Sequence, residues 1–244
     1  MKQIPNLFTL GNLYCGFLGI IHALMGDLYF ASALIFLAGF LDLADGWLAR
    51  YLDAYSPIGE QLDSLADLVS FGVLPGIILH VMLLDTQSNW LFSFYVGQIP
   101  LASLLPFLIP ACGAIRLARF NTQAGDRKTF IGLPIPAVGL FVAAIPFMLR
   151  FDLFVWQSET YYLRNLILTD VFILGVTFFL SYAMLAKIPV FSTKNIQNPT
   201  VKKLFIALAV IFVVLAFTTF FVSIPVVILL YLLLSVLFQK QYAD

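Results

Sequence analysis

Eight stretches of mostly apolar residues follow one another along this chain, at 7–25, 29–51, 60–84, 91–119, 134–150, 170–187, 203–221 and 223–239. A membrane crossing takes about 20 such residues, because the hydrocarbon core is roughly 30 Å thick. Each stretch is long enough to be one crossing. Composition agrees: 61% of the 244 residues are hydrophobic, 11% are charged, and the mean hydropathy is +0.99. A soluble domain keeps about a quarter of its residues charged to solvate its surface. The expected fold class is therefore all-α, a polytopic membrane helix bundle of about eight transmembrane helices. The last two crossings meet at Ser223-Ile224-Pro225, where proline opens the new helix. No internal repeat interrupts the pattern. Residues 1–244 read as a single transmembrane domain, with its core motif at 42–67 and helices 203–239 peripheral. The first apolar stretch has no clear small-residue cleavage site before Asp27 and reads as a retained helix.

Eight crossings put both termini on one side. With the N-terminus inside, the inner segments hold Lys2, Arg50, Arg116, Arg119, Arg127, Lys128, Lys187, Lys194, Lys202, Lys203 and Lys240, and the outer ones only Arg150 and Arg164. Eleven cations against two predict cytoplasmic N- and C-termini in the cell inner membrane. Trp90, Trp156, Tyr161 and Tyr162 fall near the outer boundaries, where an aromatic belt belongs. A net charge of zero favours no polyanionic partner, nucleic acid included. Cys15 and Cys112 lie in apolar stretches and read as packed thiols.

Against this charge-poor background, residues 42–67 contain Asp42, Asp45, Arg50, Asp53, Glu60, Asp63 and Asp67. Charges inside spanning segments cost several kcal/mol each and mark pathways or sites. Asp42, Asp45, Gly46 and Ala49 share one face of the second helix at 100° per residue. Asp63 and Asp67, four apart, share one face of the third. A turn around Ser56-Pro57 makes the two helices an antiparallel hairpin, and four carboxylates are expected to converge at its cytoplasmic end. Left alone they would repel one another and take up protons. Hard divalent cations remove that problem, Mg2+ or Mn2+ being suited to oxygen ligands. Two ions about 3.5–4 Å apart would form the clamp used for displacement at phosphorus. Gly46 and Ala49 leave room for a nucleotide diphosphate against the backbone, or serve close helix packing.

The pattern Asp42-x2-Asp45-Gly46-x2-Ala49-Arg50-x8-Gly59-x3-Asp63-x3-Asp67 resembles the signature of the CDP-alcohol phosphatidyltransferase family at every fixed position. That resemblance implies metal binding by Asp42, Asp45 and Asp63, with Asp67 both contributing to the metal site and acting as general base. It also implies a CDP-lipid pocket lined by Gly46, Ala49 and Arg50; Gly59 in the same pattern and Asn12, the deepest polar residue opening the first helix, are further candidates for CDP-lipid binding. Within the superfamily, the segments 4–12, 63–72, 116–121 and 130–136 are similar to those of bacterial and archaeal phosphatidylserine synthases, over about residues 3–140. The substrates so implied are CDP-diacylglycerol and L-serine, in contact with membrane lipids, and the assembly a homodimer.

Arg116 and Arg119, three apart on the fourth helix, can act together on the carboxylate of serine or the diphosphate of the donor. The plainer alternative is a pair of snorkelling arginines at a helix end. Asn6, Thr9 and Asn12 open the first helix on roughly one face, to reach the nucleotide or to cap the helix. His80 reads as a hydrogen-bonded core histidine, Asp53 and Glu60 as solvated loop charges. Three readings differ from transfer to serine: another acceptor such as glycerol 3-phosphate or an inositol phosphate, a cation-coupled transporter, and a non-catalytic scaffold. The transporter is opposed by the short local acidic pattern and the missing inverted repeat. A scaffold leaves the acids unexplained.

Overall fold

The computed structural model describes residues 4–54, 56–86, 94–122, 130–151, 160–190 and 199–239. Lys2, Trp90, Arg127, Lys128, Trp156, Lys194 and Lys240 lie outside the described residues, as do the side chains of Tyr161 and Tyr162.

The chain begins with a helical hairpin. Helix α1 (Ile4–Leu24) and helix α2 (Leu28–Tyr51) are joined by three residues. Gly26 takes a left-handed φ of 85° in that turn, and Asp27 caps α2 by accepting from the Phe30 N–H at 3.1 Å. Ser56 caps α3 (Pro57–Leu68) by accepting from the Gly59 N–H at 3.0 Å, with Pro57 as its first residue. That cap starts the third crossing at residue 57, a turn earlier than its apolar content alone predicts.

The same helix runs on through a π-helical turn, Val69–Val73, into α4 (Leu74–Asp85). Pro75 explains the turn. It has no N–H, and its ring would strike the carbonyl of the residue four before it, so the ladder widens and Leu74 bonds back to Val69. Phe71, Leu74, Ile78, Leu79 and Met82 are fully buried around this segment. Two thirds (67%) of the best apolar window in 57–85 is buried inside the protein, against 6% in 200–237. The third crossing is therefore the central stave of the bundle.

The fourth apolar stretch differs from expectation at its start. Residues 95–100 are not helical: β1 (Tyr95–Val96) and β2 (Ile99–Pro100) pair antiparallel around Gly97, whose φ is 65°. The helix starts at Leu101 as a 3-10 run to Phe107, because Pro106 denies it regular α bonds, and becomes α5 at Leu108–Thr122. A second two-residue ladder pairs β3 (Phe130–Ile131) with β4 (Pro189–Val190), tying the entry of α6 (Ile135–Phe151) to the exit of α8 (Asp170–Leu185). Gly132 sits in that junction with a φ of 74°, and a Cβ there would collide with the Met184 carbonyl. A short helix not expected from apolar content, α7 (Thr160–Ile167), precedes α8. The chain closes with α9 (Pro199–Thr219), a 3-10 turn at Phe220–Val222, and α10 (Ser223–Leu237). Phe220 carries a left-handed φ of 45° at that reversal. Val201, Leu204 and Leu208 pack with Val227, Leu230, Leu234 and Phe238, so α9 and α10 form an antiparallel pair with a small core of its own.

Among the described residues the architecture is helical apart from the two short ladders. Five segments among them, 4–24, 28–51, 57–85, 101–122 and 200–237, are long and apolar enough to cross a membrane, whereas the apolar helices at 135–150 and 170–185 are shorter. The protein is an integral membrane protein on that count. The eightfold expectation treated α6 and α8 as full crossings and 200–237 as two.

Candidate active site

The site is built at one end of α1, α2 and α3, with α5 alongside. Asp42 on α2 and Asp63 and Asp67 on α3 each offer a carboxylate oxygen, and the three oxygens lie within 4.8 Å of one another. Carboxylates this close repel one another unless a proton or a cation lies among them. Asp63 Oδ1 is buried without a hydrogen-bond partner, so the cluster has an acceptor to spare. Oxygen donors with an orphaned acceptor suit a hard divalent cation, and Asp42, Asp63 and Asp67 are the residues that would hold it.

Of the four aspartates expected to converge, the structure gathers three. Asp45 is also buried, and its Oδ2 accepts the Thr9 hydroxyl at 2.6 Å; it is not one of the three whose oxygens lie within 4.8 Å. It stays within electrostatic reach of Asp42, Asp63 and Asp67. Asn12, fully buried, donates its amide N–H to Asp67 Oδ1 at 3.3 Å, and its own backbone carbonyl accepts from Ser70 Oγ at 2.9 Å. The helix-opening residues Thr9 and Asn12 thus act on the carboxylates instead of capping α1. Gly16 lets this happen: a Cβ there would come within 2.6 Å of Ser70 Oγ, so α1 reaches the π-helical turn after α3 only because the side chain is absent.

The other candidates are arranged around this centre. A Cβ at Gly46 would meet nothing within 4 Å, so helix packing does not require glycine there, and the face is open. Ala49 is half-buried beside it. Arg50 is exposed and folds back to donate from Nε to the Gly46 carbonyl at 2.9 Å. Gly59 lies in the first turn of α3, where a Cβ would sit 3.0 Å from the Asn6 side chain. Asp53 and Glu60 are exposed. The two arginines of α5 part company: Arg116 is 9% exposed with its Nε unpartnered, whereas Arg119 is exposed. Arg116 lies within electrostatic reach of Asp67 and lines the same cavity as Tyr231 of α10.

Asp63, Ser64, Asp67 and Arg116 form the polar end of a cavity of about 700 Å3. Pro134–Ala137 at the start of α6 form another side of it, and α9 and α10 supply apolar walls. Sequence reasoning missed this contribution of the last two helices. It also missed the Ser64–Asn121 pair, in which Asn121 Nδ2 donates to Ser64 Oγ at 3.0 Å and ties α3 to α5. Away from the site, His80 Nδ1 lies 2.5 Å from the Ser103 carbonyl, the hydrogen-bonded histidine expected, and Cys15 and Cys112 are free thiols.

Comparison with known proteins adds the decisive observation. Residues 2–177 match the family model of the CDP-alcohol phosphatidyltransferases. The chain belongs to that family. Among curated relatives of this CDP-alcohol phosphatidyltransferase, a CDP-diacylglycerol–serine O-phosphatidyltransferase of Bacillus subtilis is 38% identical over 148 residues, covering 60% of this chain and 77% of the relative. An archaetidylserine synthase of Methanothermobacter thermautotrophicus is 35% identical over 144 residues, covering 58% and 56%. A CDP-diacylglycerol–serine O-phosphatidyltransferase of Helicobacter pylori is 38% identical over 140 residues, covering 57% and 54%. The matched segment thus spans little more than half the length of the last two relatives.

Proposed function

We propose that this phosphatidyltransferase moves a phosphatidyl group from CDP-diacylglycerol to the hydroxyl of L-serine, yielding phosphatidylserine and CMP. The observation that carries the reading is the meeting of Asp42, Asp63 and Asp67 within 4.8 Å, with Asp63 and Asp67 lining the polar end of an otherwise apolar cavity. A lipid bearing a diphosphate presents the same division of polar and apolar parts. The names of the relatives favour serine as the acceptor.

A magnesium or manganese ion on the aspartates would neutralise the diphosphate and the charge that develops on departing CMP. The protein's own groups do the rest. Asp67, oriented by the Asn12 amide, takes the proton from the serine hydroxyl as general base. The serine oxygen forms a bond to the lipid-side phosphorus as the bond from that phosphorus to the CMP oxygen breaks, and the electron pair leaves with CMP. Arg116, buried and charged beside Asp67, binds the serine carboxylate or a donor phosphate and holds it in register. The open face at Gly46 admits the nucleotide against α2, with Ala49, Arg50 and Gly59 around it. Thr9 keeps Asp45 at the edge of the acidic cluster, ready to complete the ligand set. Cytoplasmic termini, eight crossings, an inner-membrane location and a homodimer complete the proposal.

The test is CMP release by detergent-purified protein given CDP-diacylglycerol, Mg2+ or Mn2+, and one alcohol at a time. Release that needs both metal and L-serine supports the reading. Metal-dependent release with glycerol 3-phosphate or an inositol phosphate instead would keep the chemistry and replace the acceptor. No release with any alcohol from folded protein would overturn it and revive the transporter.

A further inference from the structure

The α9–α10 pair lies beyond the 2–177 match to the family model, yet it walls the cavity that ends at Asp67. Phe205, Leu208, Ala209 and Phe212 line it from α9 at spacings of i, i+3, i+4 and i+7, which is one face of a helix. From α10 come Val227, Ile228 and Tyr231. Helix α9 has as its main packing partners only α10 and the 3-10 turn before it. Its inner face is separated from α3 and α5 by the cavity rather than packed on them. At the far end Arg116 is over nine-tenths buried, lines the cavity, and has its Nε unpartnered. The space thus demands an occupant that is anionic at one end and apolar along its length. Its volume of about 700 Å3 lies within the roughly 300–1,000 Å3 usual for small-molecule sites.

We infer that the α9–α10 pair forms the acyl-chain groove of the active site, holding one chain of the donor lipid while its phosphate lies at Arg116 and the aspartates. This rests on the reading that the donor is a CDP-activated diacyl lipid. It gives the C-terminal helices a task in donor selection: the groove, not the signature motif, sets how strongly chain length matters. Tyr231 lines the cavity together with Arg116 and so carries the groove wall toward the polar end.

The experiment compares a long-chain donor, dioleoyl CDP-diacylglycerol, with a dihexanoyl one, using purified full-length protein. Ala209→Trp projects a large ring into the groove. It should raise KM for the long-chain donor about tenfold, the effect of withdrawing some two methylenes from apolar contact. KM for the dihexanoyl donor and for L-serine should move less than about twofold, since neither depends on the lost contacts. Val210→Trp, one residue along and 56% exposed on the outer side, should leave both donors unchanged. Elution and melting profiles are checked first, and Ala209→Leu replaces the larger variant if that one does not fold. Equal KM values before and after substitution, or an equal loss for both donors, would overturn the groove and leave the space to bulk lipid. Wild-type protein that releases no CMP from either donor would instead bring down the proposed reaction, and the groove with it.

Discussion

Among the described residues, Asp67 has one hydrogen-bond donor, the Asn12 amide, and the two side chains should fail differently. Asp67→Asn keeps the shape but cannot accept a proton. Turnover should fall by about 10²–10⁴-fold, the range for losing a general base, while CDP-diacylglycerol binding persists. CMP release alongside a binding isotherm checks it, and retained turnover would remove Asp67 from that role. Asn12→Ala leaves Asp67 ionisable but unoriented, so kcat should fall about 10–100-fold with Mg2+ still required. Thr9→Val frees Asp45 from its 2.6 Å bond, and the metal concentration for half-maximal rate should rise, also by about 10–100-fold. The acidic residues were legible in sequence because charge is so costly in an apolar chain. Their partners were less so. Thr9 and Asn12 open a helix, where capping is an equally good use of the same side chains, and only the packing of α1 on α2 and α3 decides between the two. Arg116 and Arg119 looked equivalent by spacing, but α5 buries one and exposes the other.

Among elements, the contact of α1 with the third crossing governs the site. At Gly16 the approach is so close that a Cβ would lie 2.6 Å from Ser70 Oγ and 3.2 Å from Ser70 Cα. Gly16→Val should push the helices apart, at a cost of about 1–3 kcal/mol as for other overpacked interiors. It should also weaken the Asn12–Asp67 bond that this approach permits. Thermal unfolding in detergent would show a lowered midpoint, and the metal requirement would rise in the same variant. Most helix positions were readable from apolar length alone. The errors fell where another signal competed with hydropathy. Gly97 and Pro100 fold 95–100 into a hairpin although the surrounding residues are apolar, and Pro106 holds the next run in 3-10 form. The cap at Ser56 and Pro57 starts α3 before its first apolar residues accumulate. In α9 every face is apolar, so the stripe Phe205, Leu208, Ala209 and Phe212 has no polar side to stand out against.

For the whole molecule, the acidic cluster and the buried core share a single long segment, 57–85. Asp63 and Asp67 occupy its first part, and Phe71, Ile78 and Met82 anchor the rest. Chelation should therefore separate activity from folding: with EDTA, CMP release stops, while the core keeps the helical circular-dichroism signal and returns full activity when Mg2+ or Mn2+ is restored. A collapse of the helical signal on chelation would make the metal a structural element instead. The π-helical turn at 69–73 is the joint between the two halves of this segment. Because one residue turns an α-helix by about 100°, tightening this π-helical turn to α form with the same number of residues would swing the aspartates about a quarter-turn out of the space they share with Asp42. Related chains without a proline at position 75 should also be one residue shorter in this interval.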